Sequence, residues 1–191
     1  PIWYNHGRGI IMDLRDIKEF FRDAFKYLAA IAIILFIAIY VVSFQEVIGP
    51  SMNTTLKSGD VTVVNKLIYH LRKIKRNEIV SIKQNDKVMV KRIIGLPGEH
   101  IEYKDNILYI DGQMYKEKNI KESTKNFKLE DIGYDKIPDN MYFVLGDNRT
   151  NSSDSREFGL VKKENIIGKV NLRIFPINKF QIFKNFILLI N

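Results

Sequence analysis

Hydrophobic and polar positions follow two different patterns along this chain. Residues 27–44 (YLAAIAIILFIAIYVVSF) contain no charged residue. An amphipathic surface helix repeats polar positions every few residues, and this stretch has none. At about 1.5 Å per residue its 18 residues reach roughly 27 Å, close to the ~30 Å of a bilayer hydrocarbon core. Ala24 and Phe25 can extend the helix while Lys26 snorkels, so a transmembrane anchor is expected over 24–44. The run is longer than the ~7–15 residues of a cleaved signal-peptide core, and no A-x-A-like site follows it, which favours a retained anchor.

Beyond the anchor the apolar residues come in short β-branched and aromatic runs. VTVV (61–64), EIVSI (78–82), KVMVKRII (87–94), NILYI (106–110), MYFVL (141–145) and KVNLRIF (169–175) read as strands punctuated by Gly, Asp and Asn. Asp111-Gly112 is a two-residue hairpin signal. Residues 66–71 allow one short helix. The fold class expected is mainly β: an antiparallel barrel or sandwich-type domain over 45–191, preceded by a transmembrane helix. Residues 115–138 are rich in Lys, Glu and Asn and read as a small inserted cap or loop. The C-terminal FQIFKNFILLI (180–190) is too short to span a membrane, so it docks on the core or lies at the interface.

Charge then orients the anchor. Arg8, Arg15, Lys18, Arg22 and Lys26 precede it, and the first basic residue after it is Lys57. The positive-inside rule places residues 1–23 in the cytoplasm and the large domain outside the cell membrane, as a single-pass protein. Residues 1–11 stand ahead of Met12 and read as an upstream extension. Residues 66–92 hold nine Lys or Arg against Glu78 and Asp86, part of a total net charge of +8. Such a stretch is a solvated face, an attraction to anionic lipid, or a nucleic-acid patch. The absence of cysteine excludes disulfides, thiolate catalysis and a Cys-based zinc site. His6, His70 and His100 show no ligand spacing, so no metal or cofactor is expected.

Three segments carry candidate chemistry. Ser51 follows Gly49-Pro50 and precedes Met52. It lies seven residues past Phe44, within roughly 25 Å of the bilayer along the chain. Lys91 sits among Val88, Met89, Val90, Ile93 and Ile94. In a strand these neighbours cannot all face water, and burial would lower the lysine pKa until its neutral amine served as a general base. The third segment, LGDNRTNSSDSREFG (145–159), is dense in residues that hydrogen-bond backbone and brace a loop.

Together, and in this order, the three segments resemble the type I signal peptidase family over roughly residues 25–175. PSMNTTL is similar to that family's nucleophile segment, VKRIIGLPGE to its general-base segment, and GDNRTNSSDSREFG to its third. The resemblance implies a Ser/Lys endopeptidase, working through an acyl-enzyme, that removes signal peptides from exported preproteins. It makes Ser51 the nucleophile and Lys91 the general base. Ser152 would orient the lysine, with Arg92, Asp147, Asp154 and Arg156 as support. Gly49, Pro50 and Met52 would lie beside the substrate near the membrane-facing surface. Gly49 stands where some members carry a serine that helps bind the oxyanion, which leaves that task to main-chain N–H groups, at least that of Ser51. Thr54 replaces the family's usual Pro, and Arg76-Asn77-Glu78 replaces Arg-Gly-Asp. Membrane lipid and preproteins are the partners implied, and nucleic acid is not. The competing readings are a Ser/Lys processing peptidase for a narrow substrate set and a membrane-tethered basic binding module.

Overall fold

The computed structural model describes residues 14–117, 120 and 123–183. The chain divides into two units, 1–40 and 41–191.

Helix α1 (Leu14–Phe36) runs into a π-helical turn, Ile37–Val41. By length and composition Ile17–Val41 can cross a membrane, and none of it is buried within the chain. The expected anchor reached residue 44, but Val42–Phe44 are extended. They open strand β1 (Val42–Glu46), whose backbone groups pair with a neighbouring strand. Residues 1–11 lie outside the described residues.

The second unit is built from strands, in chain order β1, β2 (Val61–Asn65), β3 (Ile79–Gln84), β4 (Lys87–Gly95), β5 (Ile101–Lys104), β6 (Ile107–Ile110), β7 (Gln113–Tyr115), β8 (Phe127–Lys128), β9 (Met141–Leu145), β10 (Val161–Lys162), β11 (Ile166–Phe175) and β12 (Gln181–Ile182). Two short helices, α2 (Ile68–Leu71) and α3 (Ser155–Phe158), interrupt them. The main sheet runs β1-β2-β11-β3-β4-β9-β10, with β12 on β11; the small sheet runs β7-β6-β5-β8. The pairings are antiparallel, as the alternating pattern predicts. The sheets stay open and do not close into a barrel.

Local chemistry sets the hairpins. Asp111 and Gly112 take φ of 49° and 77°, the left-handed pair that a two-residue turn needs between β6 and β7. Asn85-Asp86 (47° and 59°) and Asp105-Asn106 (51° and 66°) do the same without glycine, since short polar side chains tolerate this region. Asn77, at φ 67°, takes the left-handed region that asparagine tolerates. Asn65 Oδ1 accepts the N–H groups of Leu67 and Ile68, both at 3.0 Å, and starts α2.

Of the expected cap or loop over 115–138, the described residues from 123 onward return to the small sheet. Strand β8 pairs with β5, a 3₁₀ turn follows over Leu129–Ile132, and Leu129 and Ile137 are fully buried. Both are apolar anchors within a stretch of polar composition. They complete a cluster in which Ile94, Phe143 and Leu145 of the main sheet meet Ile101, Tyr103 and Leu108 of the small one. A second cluster (Val80, Ile82, Ile93, Tyr142, Val144 and neighbours) and a third (Val47, Met52, Leu56, Val64, Ile79, Val90, Val170) fill the main sheet. Phe183 packs on the third; residues 184–190 lie outside the described ones.

A buried ion cluster sits beside the second core. Glu78 accepts from Arg72 at 2.5 Å, Tyr69 Oη at 3.1 Å and the Lys75 N–H at 3.1 Å, with Lys169 Nζ at 3.3 Å. Burial opposes its ionisation, but these donors outweigh burial and hold its carboxyl below the usual range.

Candidate active site

Ser51 opens a tight turn. Gly49, at φ 85°, supplies the left-handed step that leads into it. Pro50 O accepts the Asn53 N–H at 2.9 Å, and Met52 O accepts those of Thr55 and Leu56 at 3.0 and 2.8 Å. Met52 and Leu56 are fully buried in the third core cluster, so they anchor the turn from below and leave Ser51 half-buried. Met52 therefore does not reach the surface expected of it. It is an apolar plug, and its burial holds the turn that carries Ser51. Arg173, on β11, donates to the Thr55 carbonyl at 3.1 Å and to buried Asp60 at 3.0 Å, clamping the same segment. Thr54 takes φ 90°, which a proline ring forbids and which strains a β-branched residue.

Lys91 lies on β4, where alternation puts it with Met89 and Ile93 and puts Val90, Arg92 and Ile94 on the opposite face. Only 2% of it is exposed. That burial pushes its pKa below the usual lysine value; the Asp154 carboxylate opposes the shift, and the Arg156 guanidinium adds to it. Its Nζ donates to Ser152 Oγ at 3.2 Å.

The segment 146–156 binds these pieces together. Asp147 pairs with Arg92 in a fork, Nε to Oδ1 at 2.7 Å and a terminal nitrogen to Oδ2 at 2.5 Å, and accepts from Thr55 Oγ1 at 2.5 Å. One carboxylate thus joins β4, the loop and the nucleophile turn. Asp154 accepts from Arg156 through two contacts of 2.8 Å, accepts the Gly146 N–H at 3.1 Å, and caps α3. The Asn148 N–H donates to Ser51 O at 2.9 Å. Gly146 is the point of closest approach. A Cβ there would stand 2.2 Å from Ser152 Oγ and 2.4 Å from Ser51 O. The hydroxyl that holds Lys91 and the backbone of Ser51 therefore flank the same atom. Among the described residues the Ser51 hydroxyl makes no hydrogen bond, and Lys91 reaches Ser152 rather than Ser51 itself. Catalytic contacts commonly tighten only when substrate binds.

Sequence reasoning missed three parts of this assembly. Gly146 and Arg149 lie inside the GDNR segment, where only their position hinted at a role. Arg149 is buried and donates to the carbonyl of Gly146 at 3.0 Å, to Tyr103 Oη at 2.9 Å and to Glu117 at 2.5 Å, tying the loop to the small sheet. The Arg173–Asp60 clamp spans 113 residues of sequence and left no local signal.

Removing Asp147 tests this frame. Asp147→Ala leaves a largely buried guanidinium without its counter-ion and is expected to cost about 3 kcal/mol of stability. Lys128→Ala, which breaks an exposed pair with Glu102, should change stability by about 0.5 kcal/mol or less. Urea unfolding of the two variants measures both.

Among the described residues one group has the donor types of a metal site: His100, Glu130 and Asp135. His100 Nδ1 already contacts the Asp135 carbonyl at 2.8 Å, and both carboxylates are exposed. None of the hydrogen bonds described above involves these residues.

The family model for signal peptidase, peptidase S26, matches residues 20–175. The chain belongs to this signal peptidase family. Signal peptidase I of Bacillus caldolyticus is 41% identical over 81% of this chain and 91% of its own length. Signal peptidase I V of Bacillus subtilis is 42% identical over 66% of this chain and 82% of its own. A crystal structure of a signal peptidase I from Enterococcus faecalis is 38% identical, covering 52% of this chain and 98% of that one, with a TM-score of 0.48. The S26 peptidases are serine endopeptidases, and this signal peptidase relative carries a serine and a buried lysine on one connected frame.

Proposed function

We propose that this chain is a membrane-anchored signal peptidase in which Ser51 is the nucleophile and Lys91 the general base, removing N-terminal signal peptides from exported preproteins. The observation that carries the reading is the buried Lys91, held by Ser152 at a loop whose Gly146 abuts the Ser51 backbone.

The free edge of β4 supports an extended substrate. On one side β4 pairs with β3 along residues 87–92; on the other, β9 takes only 92–95. Residues 87–91 thus have main-chain groups open to an added strand, ending at Lys91. In that pose Ser51 Oγ attacks the scissile carbonyl as Lys91 takes its proton. Among the described residues no hydrogen bond occupies the Ser51 N–H, which is free to bind the developing oxyanion. The C–N bond breaks, the leaving amine takes the proton from Lys91, and the signal peptide stays as an ester on Ser51. Lys91 then deprotonates water, which attacks the ester; the signal peptide leaves as a carboxylate and Ser51 regains its proton. Asp147, Arg92, Asp154 and Arg156 hold the frame.

A row of cross-strand partners, Phe44, Val63, Leu172 and Ile182, crosses four strands of the main sheet, and its end members Phe44 and Ile182 are exposed at 70% and 53%. An apolar sheet face of this kind supports contact with lipid. The basic residues ahead of the uncharged run 27–44 support a cytoplasmic N-terminus with the β unit outside.

Purified protein in detergent, given a model preprotein, should make one cut at the end of the signal peptide, read by mass mapping. Absence of any cut by the wild-type chain would overturn the proposal. The pH profile adds a second test. Because burial lowers the Lys91 pKa, the neutral amine appears below the ordinary lysine value of 10.5, and activity should rise with pH through that interval. The unfolded chain keeps this proton up to its ordinary value, so the same rise in pH also favours the folded state. A flat profile for activity would remove lysine as the base.

A further inference from the structure

The cradle around Arg149 lies outside the groups assigned above to the reaction. The Arg149 side chain is fully buried. Its Nε donates to Gly146 O at 3.0 Å. One terminal nitrogen donates to Tyr103 Oη at 2.9 Å, Thr124 Oγ1 at 3.0 Å and Glu117 Oε2 at 3.1 Å, and the other to Glu117 Oε1 at 2.5 Å. A guanidinium offers only donors, and here acceptors from separate segments converge on it. Local structure fixes those segments. Tyr103 lies on β5 and faces inward with Ile101. The Thr124 N–H donates to Asn106 Oδ1 at 2.7 Å, so the β5–β6 turn sets its position. Glu117 follows β7, whose register on β6 starts from the Asp111-Gly112 turn.

Among the described residues Glu117 is the carboxylate that pairs with Arg149, and only 12% of its side chain is exposed. A buried guanidinium that loses its counter-ion is left uncompensated and is driven toward water or another acceptor. For Arg149 such a movement is not local. Its Nε holds the Gly146 carbonyl, and its own carbonyl accepts from Arg156 at 2.9 Å. Arg156 forks onto Asp154, which takes the Gly146 N–H. Both polar groups of Gly146 are therefore held from this side. Gly146 is also where Ser152 Oγ and the Ser51 carbonyl come closest.

We infer that Glu117 is a positioning residue for the dyad, acting through Arg149 on Gly146. It touches neither substrate nor a reacting atom. Its negative charge keeps the guanidinium against the Gly146 carbonyl, and that contact keeps Ser152, and with it Lys91, in register with the Ser51 turn. The inference rests on Ser51 and Lys91 being the nucleophile and the base.

Glu117→Gln keeps the size of the side chain and removes its charge. In the full chain, kcat on a model preprotein should fall about tenfold with KM unchanged, because substrate still binds along β4 while the reacting groups sit off their mark. Glu117→Asp, which restores the charge, should regain most of that loss. Glu102→Gln neutralises a neighbouring carboxylate whose partner, Lys128, is exposed, and should leave both constants at wild type. In an Arg149→Met background Glu117→Gln should lower kcat no further, since the two act in series. Should Arg149→Met fail to fold, amide exchange reads the same linkage: Glu117→Gln should speed exchange of the Asn148 N–H, bonded to Ser51 O, about tenfold, and Glu102→Gln should not. Wild-type kcat in Glu117→Gln, even with lowered stability, would make the residue structural only and overturn the inference. A loss that Glu117→Asp does not reverse, or one that adds fully to that of Arg149→Met, would overturn it too. A wild-type chain that makes no cut fails as a peptidase; one that cuts, with kcat indifferent to Glu117→Gln, fails only here.

Discussion

Ser51→Ala and Lys91→Ala are each expected to lower preprotein turnover by on the order of 10³-fold or more while leaving the protein folded. Alanine at 51 removes the atom that forms the ester, so no acyl-enzyme can accumulate. The turn survives, because its hydrogen bonds are main-chain and its anchors are Met52 and Leu56. Alanine at 91 removes the proton acceptor and also relieves a buried amine of its desolvation cost, so stability should hold or rise. Lys91→Arg should be as inactive as Lys91→Ala, since guanidinium stays protonated in a protein. Ser152→Ala should be intermediate, because it deletes the hydroxyl 3.2 Å from Nζ but no reacting atom. Single-turnover cleavage with mass detection of the acyl-enzyme separates these cases. Near-normal turnover by the Ser51 or Lys91 alanine variant would sink the dyad.

Gly146→Ala should be the most damaging substitution outside the dyad. Its Cβ would meet Ser152 Oγ at 2.2 Å, Ser51 O at 2.4 Å and Ser152 Cβ at 2.6 Å. Rotating Ser152 would move its Oγ but not its Cβ, and would break the bond to Lys91. Ser51 O is backbone, held in place by the Asn148 N–H. Something must therefore shift by a large fraction of an ångström between the two halves of the dyad. Displacement on that scale costs on the order of 10²-fold in kcat, and overpacking about 1–3 kcal/mol of stability. Gly112→Ala is the control. It strains a left-handed turn at φ 77° with open space around it, so it should cost about 1 kcal/mol and leave kcat unchanged. Wild-type kcat in Gly146→Ala would show that this close approach does not position the site.

The relative named inactive signal peptidase IA, from Staphylococcus aureus, is 32% identical over 86% of this chain and 97% of its own length. Likeness across most of a chain therefore does not carry turnover by itself, and the substitutions at 51, 91 and 146 are the tests that bear on it.

The apolar helix, the six strand runs and the Asp111-Gly112 turn were legible in sequence because each depends on neighbours in the chain. Hydrophobic period and turn conformation are local properties. The burial of Lys91 was legible for the same reason: an alternating strand must turn one of its faces inward. The end of the helix was less so, since Val42–Phe44 are as apolar as the residues before them and extend only because β2 offers a partner. Within the polar stretch 115–138, Phe127, Leu129 and Ile137 reach the core, sparse anchors that composition does not single out.

By itself the sequence determined that a membrane-length helix precedes a β-rich unit, and that a serine, a lysine and a polar loop recur in the order of one peptidase family. Tertiary structure alone decided that Met52 points inward, that the sheets stay open, and that Gly146 lets the loop close on Ser51. These are contacts between segments dozens of residues apart. They depend on strand register and on the space left between packed backbones, and neither quantity is encoded in the identity of any one stretch.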